Sequence, residues 1–219
     1  MGVIITATCG DKSISIECRR PSWRSMSEAY EKINTLSISK RYELVGGTPL
    51  ALYRANPLGY GNTCAMQISY IFNQNGIFLE RYISNDKAKQ PMDIKDDSIL
   101  KGADGHNYVI RVKTMVKVLM LKDFFGNADK PYNPKPMKSK QENINFYENE
   151  FSKFDKKGIV AMQVEGWGDA WGHITLWNGE KFLDDNKGGD KNYLIKVDGL
   201  DKWGRQVPIV VNLYFWELI

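Results

Sequence analysis

The sequence predicts an α+β protein in which helices formed early in the chain pack on an antiparallel β-sheet. Three observations lead there. Apolar residues recur at helical spacing around 25–34 and 64–75. Three runs rich in β-branched and aromatic residues, 158–164, 172–177 and 207–216, are gathered in the last third. No internal repeat or sharp change of composition divides the chain, so one domain over residues 1–219 is expected.

Two alternating runs, 3–9 and 12–18, flank Gly10-Asp11 and predict a hairpin within residues 1–20. In that register Cys9 faces Lys12 and Cys18 faces Val3, too far apart for a disulfide. After Pro21 a helix is expected over 25–34, with Ser25 and Glu28 as a capping box and Met26, Tyr30 and Ile33 as its apolar stripe. The stretch 45–61, with four glycines and two prolines, reads as loop.

Asn62 or Thr63 can cap the next helix, Cys64, Ile68, Ile71 and Phe72 repeat at helical spacing, and Asn75-Gly76 supplies the stop. Residues 81–107 read as irregular, and 108–112 as a strand running into a helix with Met115, Val116, Leu119 and Met120. Three prolines and four lysines without periodicity predict an exposed loop or insertion at 126–140. A helix over 141–154 would carry Ile144, Tyr147 and Phe151 on one side, and Gly166-Trp167-Gly168-Asp169 would turn between two strands.

A net charge of +4, from 30 basic and 26 acidic residues, falls short of a nucleic-acid footprint. No run of 18 apolar residues exists, so no membrane insertion is expected. Residues 1–8 lack the leading basic residues of a secretory signal, which points to a protein that starts in the cytoplasm. Three cysteines are too few for a disulfide framework. Two histidines without a Cys-x-x-Cys pair argue against a metal, and no phosphate loop or dinucleotide fingerprint points to a cofactor. The acidic run Asp184, Asp185 and Asp190 lacks the alternating ligands and closing glutamate of a calcium loop.

Chemistry is concentrated at Cys64. A free thiol has a pKa of about 8.5, and a helix N-terminus or a neighbouring imidazolium favours the nucleophilic thiolate. Cys64 occupies a first helical turn after a Gly-rich loop, where Gly61 and Asn62 leave room for a substrate backbone and an oxyanion. His106 sits in a loop, whereas His173 opens the strand 172–177, on the face that alternation shares with Thr175 and Trp177. A strand histidine facing a helix-start cysteine is the papain-like arrangement. A hairpin turning at Asn178-Gly179-Glu180 would return Asp184 or Asp185 to orient the ring, and spacing does not choose between them. Trp167 and Trp171 suit a substrate groove or the core equally well.

At these residues the chain resembles the fourth family of type VI secretion amidase effectors, which are NlpC-type papain-like hydrolases. The resemblance lies in Pro21-Ser22-Trp23, Asn62-Thr63-Cys64-Ala65-Met66-Gln67-Ile68-Ser69-Tyr70, Gly102-Ala103-Asp104 ahead of Tyr108-Val109-Ile110-Arg111-Val112, and above all Gly166-Trp167-Gly168-Asp169-Ala170-Trp171-Gly172-His173-Ile174-Thr175-Leu176-Trp177-Asn178-Gly179. It implies that Cys64 and His173 are catalytic and that the aspartate eleven positions after the histidine, Asp184, is the third member. It also implies hydrolysis of the γ-D-glutamyl–meso-diaminopimelate bond of peptidoglycan stem peptides. Such effectors are injected by the type VI secretion machinery into the periplasm of rival bacteria, and a cognate immunity protein blocks their active site. The hairpin at 1–20 and the length of 126–140 depart from shorter members, and no cysteines flank Asp184 to form the disulfide of some relatives. The same residues would also serve a deamidase or acyltransferase, and a third reading is a non-catalytic cell-wall or immunity-binding module on a hydrolase scaffold.

Overall fold

The computed structural model describes residues 3–18, 20–168, 170–185 and 190–219. Strands β1 (Val3–Cys9) and β2 (Lys12–Cys18) form the expected hairpin. Its ladder runs from Val3↔Cys18 to Cys9↔Lys12, so the two cysteine positions lie at opposite ends.

Three helices follow: α1 (Trp23–Asn34), α2 (Ile38–Val45) and α3 (Gly47–Ala55). The first begins earlier than its sequence suggested, because Ser22 rather than Ser25 is the cap and accepts from the Ser25 N–H. Glu28 pairs with Arg24 instead of closing a capping box. Met26, Tyr30 and Ile33 are buried, as the stripe required.

The 45–61 stretch is not all loop, since α3 lies within it. Its glycines serve a close approach as well as a turn. Gly46 and Gly47 adopt φ of 62° and 58° between α2 and α3. A Cβ on Gly46 would come 2.6 Å from the Ala103 Cβ, and one on Gly47 would come 2.5 Å from the Lys101 carbonyl oxygen. The Gly102-Ala103-Asp104 string is thus the surface on which this helix junction rests.

Helix α4 (Cys64–Gln74) ends at the Asn75 cap as predicted and is buried from Cys64 to Asn73. Two short turns lead to β3 (Ile99–Lys101), which pairs with β4 (Asn107–Val109) before α5 (Val112–Leu119).

The 126–140 segment is only partly the exposed loop expected. Its Lys130, Pro131 and Pro134 are exposed, yet Ala128, Tyr132 and Met137 are buried. Within it β5 (Lys135–Pro136) joins the sheet edge.

Helix α6 (Lys140–Asn149) buries Lys140, Asn143 and Phe146; of the expected side, Phe151 is fully buried just past the helix, while Ile144 and Tyr147 are only half-buried. The reason is polar. Asn143 donates to the Val210 carbonyl at 2.8 Å and accepts from the Val210 N–H at 2.7 Å, acting as a strand partner. No hydrophobic periodicity can announce such a residue.

Strands β6 (Gly158–Glu165) and β7 (Gly172–Trp177), the short pair β8 (Gly199–Leu200) and β9 (Gln206–Val207), and the long β10 (Ile209–Glu217) complete the chain. The main sheet is antiparallel in the order β5-β10-β6-β7, with a bulge in β10 between Val210 and Asn212. Asp169, in the turn expected before β7, lies outside the described residues.

Both sheet faces are covered, which explains the near-continuous apolar runs. Ile159, Ala161, Ile174 and Leu176 pack with α1, α4 and α5, while Val160, Met162 and Trp177 pack with Phe146 and Phe151. This arrangement presses α4 against β7 and brings the first turn of the helix to the start of the strand.

Gly47→Ala should destabilise the fold by about 2–4 kcal/mol, combining left-handed strain with a backbone clash. Gly76→Ala, with φ of 72° but open space around it, should cost only about 1 kcal/mol. Urea midpoints of the two variants test the difference.

Candidate active site

Cys64 is the first residue of α4, after the Thr63 cap. Its backbone N–H donates to Asn62 Oδ1 at 3.2 Å, so Asn62 turns back over the helix start. The Thr63 hydroxyl oxygen instead accepts from Gln67 Nε2 at 3.2 Å and from Arg41 Nη1 at 2.8 Å.

His173 stands in β7 opposite Met162 of β6. Beyond β7 the chain turns at Asn178-Gly179, Trp177 bridges Phe182, and the Leu183 N–H donates to the Leu176 carbonyl at 2.8 Å. This return delivers Asp184 and leaves Asp185 to accept from the Lys191 N–H. The alternative that spacing left open is therefore resolved in space: Asp184 Oδ2 lies 2.7 Å from His173 Nε2. The ring N–H points off that oxygen, so the contact is a close charge pair rather than an aligned hydrogen bond. With Nε2 turned to Asp184, Nδ1 is the ring nitrogen left for the Cys64 thiol, which lines the same cavity.

The second carboxylate oxygen is also fixed. Thr175 Oγ1 donates to Asp184 Oδ1 at 2.7 Å and lies 3.1 Å from the Tyr30 hydroxyl. An ionised carboxylate only accepts, so the Thr175 proton is committed to it and Tyr30 must donate to Thr175. Burial first, and Asp184 next, push the Tyr30 phenol well above its ordinary value and keep that donor protonated. Tyr193 packs edge-on against the His173 ring at 5.0 Å, and Trp167 packs edge-on against Tyr193 at 4.8 Å.

Cys64, His173 and Asp184 are only 4%, 5% and 9% exposed, so their electrostatics act in a largely dry setting. Burial opposes charge on His173, but Asp184 and Cys64 outweigh it and raise the imidazole above its ordinary value. Burial likewise opposes charge on Asp184, while His173 and the Thr175 hydroxyl hold its carboxyl below the usual range.

A cavity of about 440 Å³ opens over these groups, lined by Cys64, His173, Asp184, Gly61, Asn62 and Arg41 among others. Trp167 lines it too. Trp171 instead lines a second cavity of about 490 Å³, which shares Asn62 and Ala170 with the first. Both tryptophans also pack on a core, so the groove and core readings hold together. His106 is elsewhere: it pairs with Glu80 at 2.8 Å and stacks on Phe78 at 4.2 Å. Thr175 shared the face that alternation gave His173, whereas Tyr30, Arg41 and Tyr193 carried no sequence signal that joined them to the site.

A buried thiol, imidazole and carboxylate beside an open cavity define a class of protein, and comparison with known proteins names the family. The model of the family described as type VI secretion system amidase effector protein 4, Tae4, matches residues 60–197. The chain belongs to the Tae4 family of type VI secretion amidase effectors. Its structure is similar to Tae4 of Enterobacter cloacae at 25% identity and a TM-score of 0.61, covering 91% of this chain and 98% of that one. It is also similar to the Tae4–Tai4 effector–immunity complex of that organism, at 26% identity, a TM-score of 0.60 and coverage of 91% and 99%. The corresponding complex from Salmonella Typhimurium shares the fold at 23% identity, a TM-score of 0.57 and coverage of 91% and 99%. No curated protein matches.

The Asp184–His173 pair gives a pH signature. A depressed carboxyl stabilises the fold fully above its unfolded value near 4 and loses that contribution as pH falls through the folded value. A raised imidazole contributes fully below its unfolded value near 6.5 and loses it as pH rises through the folded value. Asp184→Asn should therefore cost roughly 2–3 kcal/mol near pH 6, less than an orphaned charge because the imidazole can shed its proton. In denaturant titrations the gap to wild type should close on acidification below about pH 4.

Proposed function

We propose that the protein is a cysteine amidase that hydrolyses the γ-D-glutamyl–meso-diaminopimelate bond of peptidoglycan stem peptides. The observation that carries this reading is the Cys64–His173–Asp184 line, buried at the floor of an open cavity in a member of an amidase-effector family.

The Cys64 thiolate attacks the γ-carbonyl carbon and forms a carbon–sulfur bond. The developing oxyanion takes the place of Asn62 Oδ1 at the Cys64 N–H, and Asn62, released from that contact, is the second polar group within reach. His173 protonates the diaminopimelate nitrogen as the amide breaks, then takes a proton from the water that cleaves the thioester. Asp184, fixed by Thr175, keeps the ring oriented throughout. Gly61 borders the entrance, and the adjoining cavity beside Trp171 receives the continuing stem.

The whole chain acts as one catalytic domain, and no metal or cofactor takes part. It works as an antibacterial toxin, delivered by the type VI secretion machinery into the periplasm of the target cell. Its partner in the producing cell is an immunity protein that covers this cavity; that such a partner exists is supported by the similar structure being an effector–immunity complex with Tai4. No helix among the described residues is long and apolar enough to cross a membrane.

Digestion of diaminopimelate-type sacculi tests the reading. Wild type should release fragments cut between D-glutamate and diaminopimelate, identified by mass spectrometry, and folded Cys64→Ala should release none. Absence of cutting by wild type, or full cutting by Cys64→Ala, would sink it.

A further inference from the structure

Arg41, on α2, lines the same cavity as Cys64 and His173. Its guanidinium is half-buried and held from several directions, by Nε to the Ile33 carbonyl at 3.2 Å, Nη2 to the Asn34 carbonyl at 2.6 Å and Asn34 Oδ1 at 3.3 Å, and Nη1 to Thr63 Oγ1 at 2.8 Å. Every one of these acceptors is neutral. Among the described residues no carboxylate comes within ion-pair distance of it, and it has no further partner.

Burial pulls its pKa down, and the negative charges of Asp184 and of a Cys64 thiolate only partly oppose that. A partly dehydrated cation held rigidly by neutral acceptors keeps an unpaired positive charge at the wall of the cavity. The Thr63 hydroxyl oxygen takes both Arg41 and Gln67 and fixes the guanidinium one residue from the nucleophile.

We infer that Arg41 is a specificity-determining residue that binds a substrate carboxylate, namely the α-carboxylate of the D-glutamyl residue whose γ-carbonyl is attacked. This rests on the proposed amidase reading and deepens it. The two groups of that residue are separated by a chain of carbon–carbon bonds spanning about 5 Å, a reach that fits a guanidinium bonded to the residue beside Cys64. Four of its five N–H groups are taken by Ile33, Asn34 and Thr63, which leaves one Nη1 N–H to donate to a carboxylate oxygen; an α-amidated glutamate would offer that cation only a neutral oxygen.

The test compares two diaminopimelate-type tetrapeptide stems, one with free D-glutamate and one α-amidated there. Wild type should cut the amidated stem with kcat/KM lower by about 10- to 100-fold, the range for losing a charge-assisted hydrogen bond. Arg41→Gln should cut both stems at similar kcat/KM, and Arg41→Lys should restore part of the preference. Wild-type selectivity is informative even if Arg41→Gln fails to fold, because amidation changes the ligand alone.

Equal kcat/KM of wild type on both stems overturns the inference while leaving the amidase reading intact. A folded Arg41→Gln that keeps the preference also overturns it, because another group would then be reading the carboxylate. Cutting of neither stem by wild type overturns the amidase reading and the inference together.

Discussion

A carboxylate and an imidazole buried within 2.7 Å of each other are the constraint around which the rest of this structure is arranged. Taking both out of water is costly, and their attraction offsets the cost only where the remaining polar atoms are also satisfied. Thr175 and Tyr30 meet that requirement at Asp184, with a hydroxyl chain whose proton direction is fixed by the carboxylate at its end. The chain ties three elements together, since Tyr30 comes from α1, Thr175 from β7 and Asp184 from the return that follows it. Loss of any one would loosen the orientation of the His173 ring.

The other half of the arrangement is the placement of Cys64. It depends on α4 being buried along nearly its whole length and on its start being braced from outside. Arg41 and Gln67 both grip Thr63, and Asn62 caps the Cys64 N–H. Arg41 in turn holds the carbonyls at the end of α1. The helix junction at Gly46 and Gly47 seats on the Gly102–Ala103 backbone and so sets where α2 presents that arginine. Glycines distant from the reacting atoms thereby bear on the cavity's charge.

Much of this was legible in the sequence, and the reasons differ by element. Strong local patterns gave the hairpin of β1 and β2, the limits of α4 and the three long strands, because turn residues and periodicity act over a few neighbours. The placement of Cys64 at a helix start and of His173 on a strand followed from the same patterns. Helix α3 was hidden by its glycines, which are present for contact with a segment far along the chain. The α6 face was misassigned because Asn143 is buried through hydrogen bonds to β10. Asp184 and Asp185 were equivalent by spacing; the resemblance pointed to Asp184, and the Trp177–Phe182 bridge, which sets the phase of the return, brings that residue to the ring. Arg41 and Tyr193 reach the site through tertiary packing alone.

The central claim is that the His173–Asp184 pair makes Cys64 a nucleophile despite its burial. Alkylation by a limiting amount of iodoacetamide, read cysteine by cysteine by mass spectrometry, tests it within one molecule, because free Cys9 is exposed while free Cys64 is buried. If the pair activates the sulfur, Cys64 is labelled faster than Cys9 in wild type, and that order reverses in His173→Ala. Labelling of Cys9 first in both proteins would contradict the claim and mark Cys64 as an inert core thiol.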